Sequence, residues 1–227
     1  MEGIVNKEEY FEKVYASFWH NQVKKYGFTQ HEDFALRKML KNKPKTAFEV
    51  GIGTGWPMAV TLYKENNVQM SGCDISKSLI EEARENLGDT ELYVGELFDL
   101  DIKKKFDLVY CFRTSWYIKD FYKMLLQMSD MTNEGGMILF DIFDQFSLQY
   151  IKHLFHRVYN RIIWAGGFIF GRNIIKQPDD NYFNINKIKT ILKEFDIEVY
   201  RQHEVLNVKK RINQAKVMFV CTKKNRL

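Results

Sequence analysis

Between residues 46 and 143, segments with the pattern of buried strands alternate with segments that have the pattern of amphipathic helices. Five strands are predicted, at residues 46–50, 69–74, 91–94, 106–111 and 137–143, with a turn at residues 133–136 before the fifth. A helix is predicted over residues 56–64, Ser76 and Asn184 are predicted caps of later helices, and Gly88 should end the helix that Ser76 begins. Consecutive parallel strands need a long crossover connection, which is usually a helix. The alternation therefore predicts an α/β fold in which helices cover both faces of a parallel sheet.

The last third of the chain departs from this rhythm. Strand-like runs at residues 197–206 and 215–222 are separated only by a short polar connection, which is too short for a helical crossover. These two strands should therefore be antiparallel. The complete prediction is a Rossmann-like doubly wound sheet of seven strands, mostly parallel with an antiparallel C-terminal strand pair, plus N-terminal helices.

A length of 227 residues suits one domain, and we expect a single domain over residues 1–227. Residues 1–45 form a predicted N-terminal helical cap, because aromatic side chains recur there at four-residue spacing. Residues 145–184 form a predicted lid-like insertion at the edge where open α/β sheets bind ligands. The insertion carries basic and aromatic side chains around Gly166 and Gly167. Packing of an inserted helix into the core is the alternative.

A glycine-rich turn, Glu49-Val50-Gly51-Ile52-Gly53-Thr54-Gly55, joins the first strand to the following helix. Glycine lets the backbone turn tightly and approach a ligand, and a helix N-terminus offers unpaired N–H groups. Asp74 ends the second strand, where a carboxylate can accept hydrogen bonds from ribose hydroxyls. The alternative role for Asp74 is a helix cap. Together these features predict a site for an adenosine-containing cofactor.

The spacing of the glycines distinguishes between such cofactors. Dinucleotide-binding turns follow G-x-G-x-x-G, in which the third glycine permits close packing beneath a pyrophosphate. Here the spacing is G-x-G-x-G, and Trp56 occupies the sixth position. A bulky side chain there favours a cofactor without a pyrophosphate. An NAD-dependent oxidoreductase is therefore the less favoured enzymatic alternative.

With these features the chain resembles the class I SAM-dependent methyltransferases, particularly the small-molecule branch that includes ubiquinone-pathway and sugar-modifying enzymes. The resemblance covers about residues 46 to 223. Its matching pieces are the sequences EVGIGTG, GCDIS, YVGELFDL, FDLVYCFRTSWYI and NEGGMILFDIF, together with the C-terminal strand pair. It implies S-adenosyl-L-methionine (SAM) as the cofactor and methyl transfer as the reaction.

The resemblance also implies roles for individual residues. Glu49 would face the methionine amino group, Asp74 would hold the ribose hydroxyls, and Leu97 would pack on the adenine ring. The complete predicted cofactor set is Glu49, Gly51, Gly53, Thr54, Gly55, Asp74, Ile75, Glu96, Leu97 and Phe112. Three residues after the fourth strand would border the acceptor substrate: Arg113, Trp116 and Tyr117.

The methyl group of SAM is carried on a positively charged sulfur, so the protein contributes mainly by positioning the reactants. A hydroxyl acceptor would also benefit from a general base. Asp144, His153 and His156 are the candidates, and a structural or solvated role is the alternative for each. No paired-Asp metal site follows the fifth strand, so no metal is expected.

The expected acceptor is a small molecule, such as a sugar or an isoprenoid or phenolic metabolite with a hydroxyl group. The net charge of +5 is concentrated in short lysine and arginine runs. These runs are either solvated loop ends or sites that attract an anionic substrate, a membrane surface or nucleic acid. By the resemblance, the sequence CFRT after the fourth strand lacks the motif of base-methylating enzymes, so nucleic acid is not expected. Peripheral membrane contact remains open.

A catalytically silent SAM-fold module that binds RNA or a protein partner is the alternative from a different functional class. The chain has 3 widely spaced cysteines, no apolar stretch that approaches about 20 residues, and an N-terminus without an apolar block. We therefore expect a cytoplasmic protein.

Overall fold

The computed structural model describes residues 28–147, 150, 151, 155, 181–207 and 215–225. Its helices are α1 Gln30–Lys41, α2 Met58–Val60, α3 Lys77–Leu87, α4 Phe121–Asp130, α5 Ile185–Ile191 and α6 Gln202–Val205. Its strands are β1 Thr46–Val50, β2 Gln69–Asp74, β3 Glu91–Val94, β4 Phe106–Cys111, β5 Thr132–Asp144, β6 Tyr182–Phe183, β7 Phe195–Arg201 and β8 Lys216–Lys223.

The strands form one sheet in the order β3-β2-β1-β4-β5-β8-β7, and β6 pairs with the end of β5. Strands β1 to β6 pair in parallel, whereas β8 is antiparallel to both β5 and β7. The predicted Rossmann-like α/β sheet with antiparallel C-terminal strands is therefore confirmed. The described part of the chain contains one strand more than the seven predicted. This additional strand is β6, which lies within the segment 145–184 that was predicted as a lid.

Alternation along the strands divides the apolar core between the two faces of the sheet. Phe48 and Val109 belong to one cluster, and their neighbours Ala47 and Leu108 belong to the other. Helices α1, α2 and α3 cover the face of Ala47, while α4 and α5 cover the opposite face. The sheet is thus buried on both sides, as its near-continuous apolar strands require.

Polar side chains cap the starts of α1, α3 and α5. Ser76 accepts a hydrogen bond from the N–H of Leu79 at the start of α3, and Gly88 ends that helix, as predicted. Asn184 caps α5, also as predicted. At α1 the Thr29 and Glu32 side chains form a reciprocal capping box.

Several element boundaries differ from the sequence-based expectations. The predicted helix 56–64 begins only at Met58 and continues as a π-helical turn over Thr61–Glu65. The predicted turn before the fifth strand is an irregularity within β5. Phe106 on β4 pairs with Thr132, whereas Leu108, two residues later, pairs with Met137, so β5 has extra residues between these pairs. The predicted strand 197–206 is wrong beyond Arg201, because the Glu204 carboxylate accepts from the Arg201 N–H and begins α6.

The two predicted appendages lie largely outside the described residues. Of the N-terminal cap, the structure describes α1, whose Ala35 and Met39 are fully buried against the sheet. Of the 145–184 segment, it describes residues 145–147, 150, 151, 155 and 181–184, and Phe183 is buried beside Phe121. Within the described residues, no helix combines the length and apolarity needed to cross a bilayer.

Candidate active site

A cleft lies at the carboxyl ends of β1, β2 and β4. Parallel strands bring these ends to one edge of the sheet, where open α/β folds bind ligands. Ten of the thirteen predicted cofactor and substrate residues line it: Glu49, Gly51, Gly53, Asp74, Ile75, Glu96, Leu97, Phe112, Arg113 and Tyr117. Residues from distant parts of the sequence therefore meet as the resemblance implied.

The glycine turn forms one wall of the cleft in a conformation that favours glycine. Gly51 and Gly53 have φ angles of 75° and 55°. The N–H of Gly51 donates to the carbonyl of Cys73 at 2.8 Å, which ties the turn to β2. A Cβ at Gly51 would lie 2.4 Å from Thr114 Cγ2, whereas a Cβ at Gly53 would meet nothing within 4 Å. The backbone at Gly53 is therefore open to a ligand.

Asp74 joins the glycine turn to the start of α3. Its Oδ2 accepts from the N–H of Gly53 at 3.0 Å, and its Oδ1 accepts from the N–H of Ser76 at 2.9 Å. The carboxylate also lines the cleft. Asp74 is thus placed both to organise the turn and to receive hydrogen bonds from a ligand.

Glu49 projects from the end of β1 into the base of the cleft and is only 6% exposed. The Tyr110 hydroxyl on β4 donates to Glu49 Oε2 at 2.8 Å. Burial raises the pKa of Glu49 well above its ordinary value, and Asp74 and Glu32 raise it further. The Tyr110 hydrogen bond acts in the opposite direction because it favours the ionised form.

Three predicted residues do not line the cleft. A Cβ at Gly55 would contact Leu87 Cδ1 at 3.0 Å, so this glycine allows α3 to pack closely. The Thr54 carbonyl accepts from Asn86 Nδ2 at 2.9 Å on the same helix. Trp116 is buried and stacks on Phe143 with ring centroids 4.6 Å apart. In the structure Gly55 and Trp116 therefore contribute to packing, and the Thr54 backbone is hydrogen-bonded to α3.

Of the three candidate general bases, Asp144 is the one that the structure describes, and it lies outside the cleft. Asp144 accepts from the N–H of Phe146 at 3.0 Å and pairs with Arg201 at 3.2 Å. It does not belong to the lining of the cleft. His153 and His156 lie outside the described residues.

A buried charge network beside the cleft was not predicted. Glu32 Oε1 pairs with Arg113 Nη1 at 2.6 Å, while Glu32 Oε2 accepts from the Thr29 N–H at 2.7 Å. Asp141 accepts from the Arg113 backbone N–H at 2.8 Å and pairs with Lys216 at 2.7 Å. Each buried charge thus has an opposite charge nearby, as burial requires. The network connects α1 to the loop after β4, which lines the cleft.

His31 lies against this network, and its burial predicts that the stability of the protein is sensitive to acid. Burial, followed by Lys216, lowers the pKa of His31 from 6.5 to about 4, while Asp141 and Glu32 oppose the shift. Because the folded pKa lies below the unfolded value, the unfolded chain binds the proton more readily. The free energy of unfolding should therefore fall as the pH decreases from about 6.5 towards 4. We expect a loss of about 1–2 kcal/mol after solvent screening of this half-buried group.

Chemical denaturation across this pH range measures the effect. His31→Gln should remove that part of the pH dependence, whereas the matched control His203→Gln on α6 should retain it. Identical profiles for wild type and His31→Gln would contradict the assignment.

Comparison with known proteins identifies part of the chain directly. Residues 48–140 match a family model described as a methyltransferase domain. Malonyl-acyl-carrier-protein O-methyltransferase from Anoxybacillus flavithermus is 24% identical over 111 residues, covering 48% of this chain and 43% of that protein. Malonyl-acyl-carrier-protein O-methyltransferase 1 from Ilyobacter polytropus is 30% identical over 104 residues, covering 44% and 39%. The chain spans about half or less of the length of the curated relatives it matches.

Solved structures share the fold over nearly the whole chain. An S-adenosylmethionine-dependent methyltransferase from Clostridium acetobutylicum has a TM-score of 0.62 and 17% identity, covering 94% of this chain and all of the other. Magnesium protoporphyrin IX methyltransferase from Synechocystis, solved with bound SAH, has a TM-score of 0.65 and 14% identity, covering 96% and 98%. These likenesses show that the chain has the fold of SAM-dependent methyltransferases, and residues 48–140 match the methyltransferase domain.

Proposed function

We propose that this chain transfers the methyl group of SAM to an oxygen atom of a small-molecule acceptor. The observation that carries the proposal is the junction of the open glycine turn and the Asp74 carboxylate, which are joined by the 3.0 Å bond to Gly53. This junction fits a ribose between a backbone without Cβ atoms and a carboxylate that can accept from its hydroxyls. The adjacent buried Glu49 suits the cationic methionine end of the same ligand.

Bound SAM supplies a methyl group on a positively charged sulfur. The residues of this chain would bind and orient the reactants. Gly51 and Gly53 would accommodate the cofactor chain, and Leu97, which is almost fully buried, would pack against the adenine. Phe112 and Arg113 at the end of β4 would border the reacting centre. Positioning of this kind can contribute on the order of 7–11 kcal/mol.

An oxygen acceptor is supported by the names of the curated relatives, which are O-methyltransferases. The position of Asp144 favours a carboxylate as the acceptor group of the substrate. This candidate base accepts a hydrogen bond from Phe146 and pairs with Arg201 outside the cleft, so it is not placed to deprotonate a hydroxyl acceptor. A carboxylate is already ionised at neutral pH and needs no base. The hydroxyl acceptor expected from the sequence, on a sugar or an isoprenoid or phenolic compound, is the second candidate.

We propose the cytoplasm as the compartment, consistent with three buried free cysteines.

Formation of S-adenosylhomocysteine (SAH) from SAM tests the proposal with a panel of carboxylate and hydroxyl acceptors. The panel would include a malonyl-acyl carrier protein, a porphyrin carboxylate, nucleotide-linked sugars and isoprenoid phenols. A methyl ester releases methanol in mild base whereas a methyl ether does not, so this treatment identifies the acceptor atom. SAH binding without turnover on any acceptor would favour the catalytically silent module instead.

A further inference from the structure

Glu49 is a buried carboxylate whose described surroundings are rich in acids and lack a paired cation. The Tyr110 hydroxyl is its hydrogen-bond partner, at 2.8 Å. Asp74 at the end of β2 and Glu32 on α1 both raise the pKa of Glu49. Arg113 contributes a guanidinium to the lining of the cleft, and this group is engaged at 2.6 Å with Glu32. Among the described residues, no lysine, arginine or histidine forms an ion pair with Glu49.

Among the described residues, two buried thiols also interact with Glu49, and neither supplies a positive charge. Burial raises the pKa of Cys73 on β2 and of Cys111 on β4, so both thiols stay neutral. A carboxylate in such surroundings is costly to ionise. A cationic group bound in the cleft would reverse this balance, since an opposite charge within about 4–6 Å favours the ionised form.

We infer that Glu49 is protonated in the ligand-free protein and releases this proton to solvent when the ammonium group of the cofactor binds. Tyr110 is the positioning residue that holds the carboxylate and favours its ionised form. The inference rests on the proposed function, because it assigns the cationic methionine end of SAM to Glu49. No bond to carbon changes in this step. The carboxyl O–H bond breaks, and the ligand ammonium keeps its own protons.

The inference predicts a specific pH dependence of binding. As the pH increases towards the pKa of Glu49 in the free protein, the affinity for SAH should rise by up to tenfold per pH unit. Above this pKa the affinity should level off. Calorimetry between pH 5.5 and 8.5, in buffers with different ionisation enthalpies, should detect the release of up to one proton per SAH bound. The fragment 5′-methylthioadenosine lacks the amino group, so its affinity should not follow this profile.

Two substitutions separate the contributions of the pair. Glu49→Gln should abolish the pH dependence and weaken SAH binding at pH 8 by roughly 10- to 100-fold, because a charged hydrogen bond is lost. In Tyr110→Phe the affinity should level off at a pH about one unit higher than in wild type, because the ionised carboxylate loses its hydrogen-bond donor. The matched control is Tyr200→Phe, whose hydroxyl contacts Lys38 and Glu198 away from the cleft. This control should leave the profile unchanged.

The outcomes distinguish this inference from the proposed function. If neither SAH nor 5′-methylthioadenosine binds, the proposed function fails and the inference fails with it. If both ligands bind but the SAH affinity is independent of pH and no proton is released, the inference alone is overturned. A Tyr110→Phe profile that matches wild type would remove the positioning role from Tyr110.

Discussion

Asp74→Ala should weaken SAH binding by about 1–3 kcal/mol, which corresponds to roughly a 5- to 150-fold increase in Kd. The alanine removes an acceptor placed to receive ribose hydroxyls. It also leaves the N–H groups of Gly53 and Ser76 without the carboxylate that now accepts from them, at 3.0 and 2.9 Å. The turn would therefore lose part of its organisation before the ligand binds. Isothermal calorimetry measures the affinity, with circular dichroism to establish that the variant is folded.

The matched control for this substitution is Asp101→Ala. Asp101 is an exposed aspartate whose side chain pairs with Lys103 on the surface. Its replacement should leave SAH affinity unchanged. A folded Asp74→Ala variant that binds SAH as tightly as wild type would remove Asp74 from the site.

Gly51→Ala should lower the free energy of unfolding by about 2–5 kcal/mol. A φ of 75° costs an L-residue roughly 1–2 kcal/mol, and overpacking against Thr114 adds about 1–3 kcal/mol. Gly53→Ala is the control because it has a similar φ of 55° but open space around the new methyl group. Gly53→Ala should show only the conformational cost while weakening SAH binding, since the methyl group enters the cleft.

Urea denaturation compares the two variants directly. Replacing Thr114 with glycine in the Gly51→Ala background should recover part of the lost stability, because the clash is with the Thr114 side chain. Equal stability losses for Gly51→Ala and Gly53→Ala would show that contact with Thr114 contributes nothing.

The parts of the site that could be predicted are those encoded by short stretches of sequence. The glycine turn and Asp74 each follow a buried strand, and parallel pairing of Val50 with Cys73 brings both strand ends to one edge. Local pattern and parallel topology are therefore sufficient to place them together. The same reasoning accounts for the confirmed caps at Ser76 and Asn184, where a side chain satisfies nearby backbone donors.

The charge network could not be predicted because its partners are far apart in sequence. Glu32 and Arg113 are separated by 81 residues, and no local pattern specifies their contact. Two signals were nevertheless present. Thr29 and Glu32 have the spacing of a capping box, and Asp141 is a single acid in an otherwise apolar strand. A lone acid in such a strand indicates a buried charge that needs a partner.

The glycine motif itself does not reveal which residues face the ligand. Gly53 is open to the cleft, but Gly55 is required by the close approach of Leu87 on α3. Both have positive φ angles, so conformation alone does not separate the two roles. Which side of the turn faces the ligand depends on where the following helix packs, and this is a property of the tertiary structure.

The most direct test of the central claim is a calorimetric titration of the wild-type protein with SAM, SAH and NAD. The open glycine turn, Asp74 and the buried Glu49 predict that SAM and SAH bind with micromolar-range affinity and that NAD does not bind. Binding of NAD in preference to SAM and SAH would contradict the account.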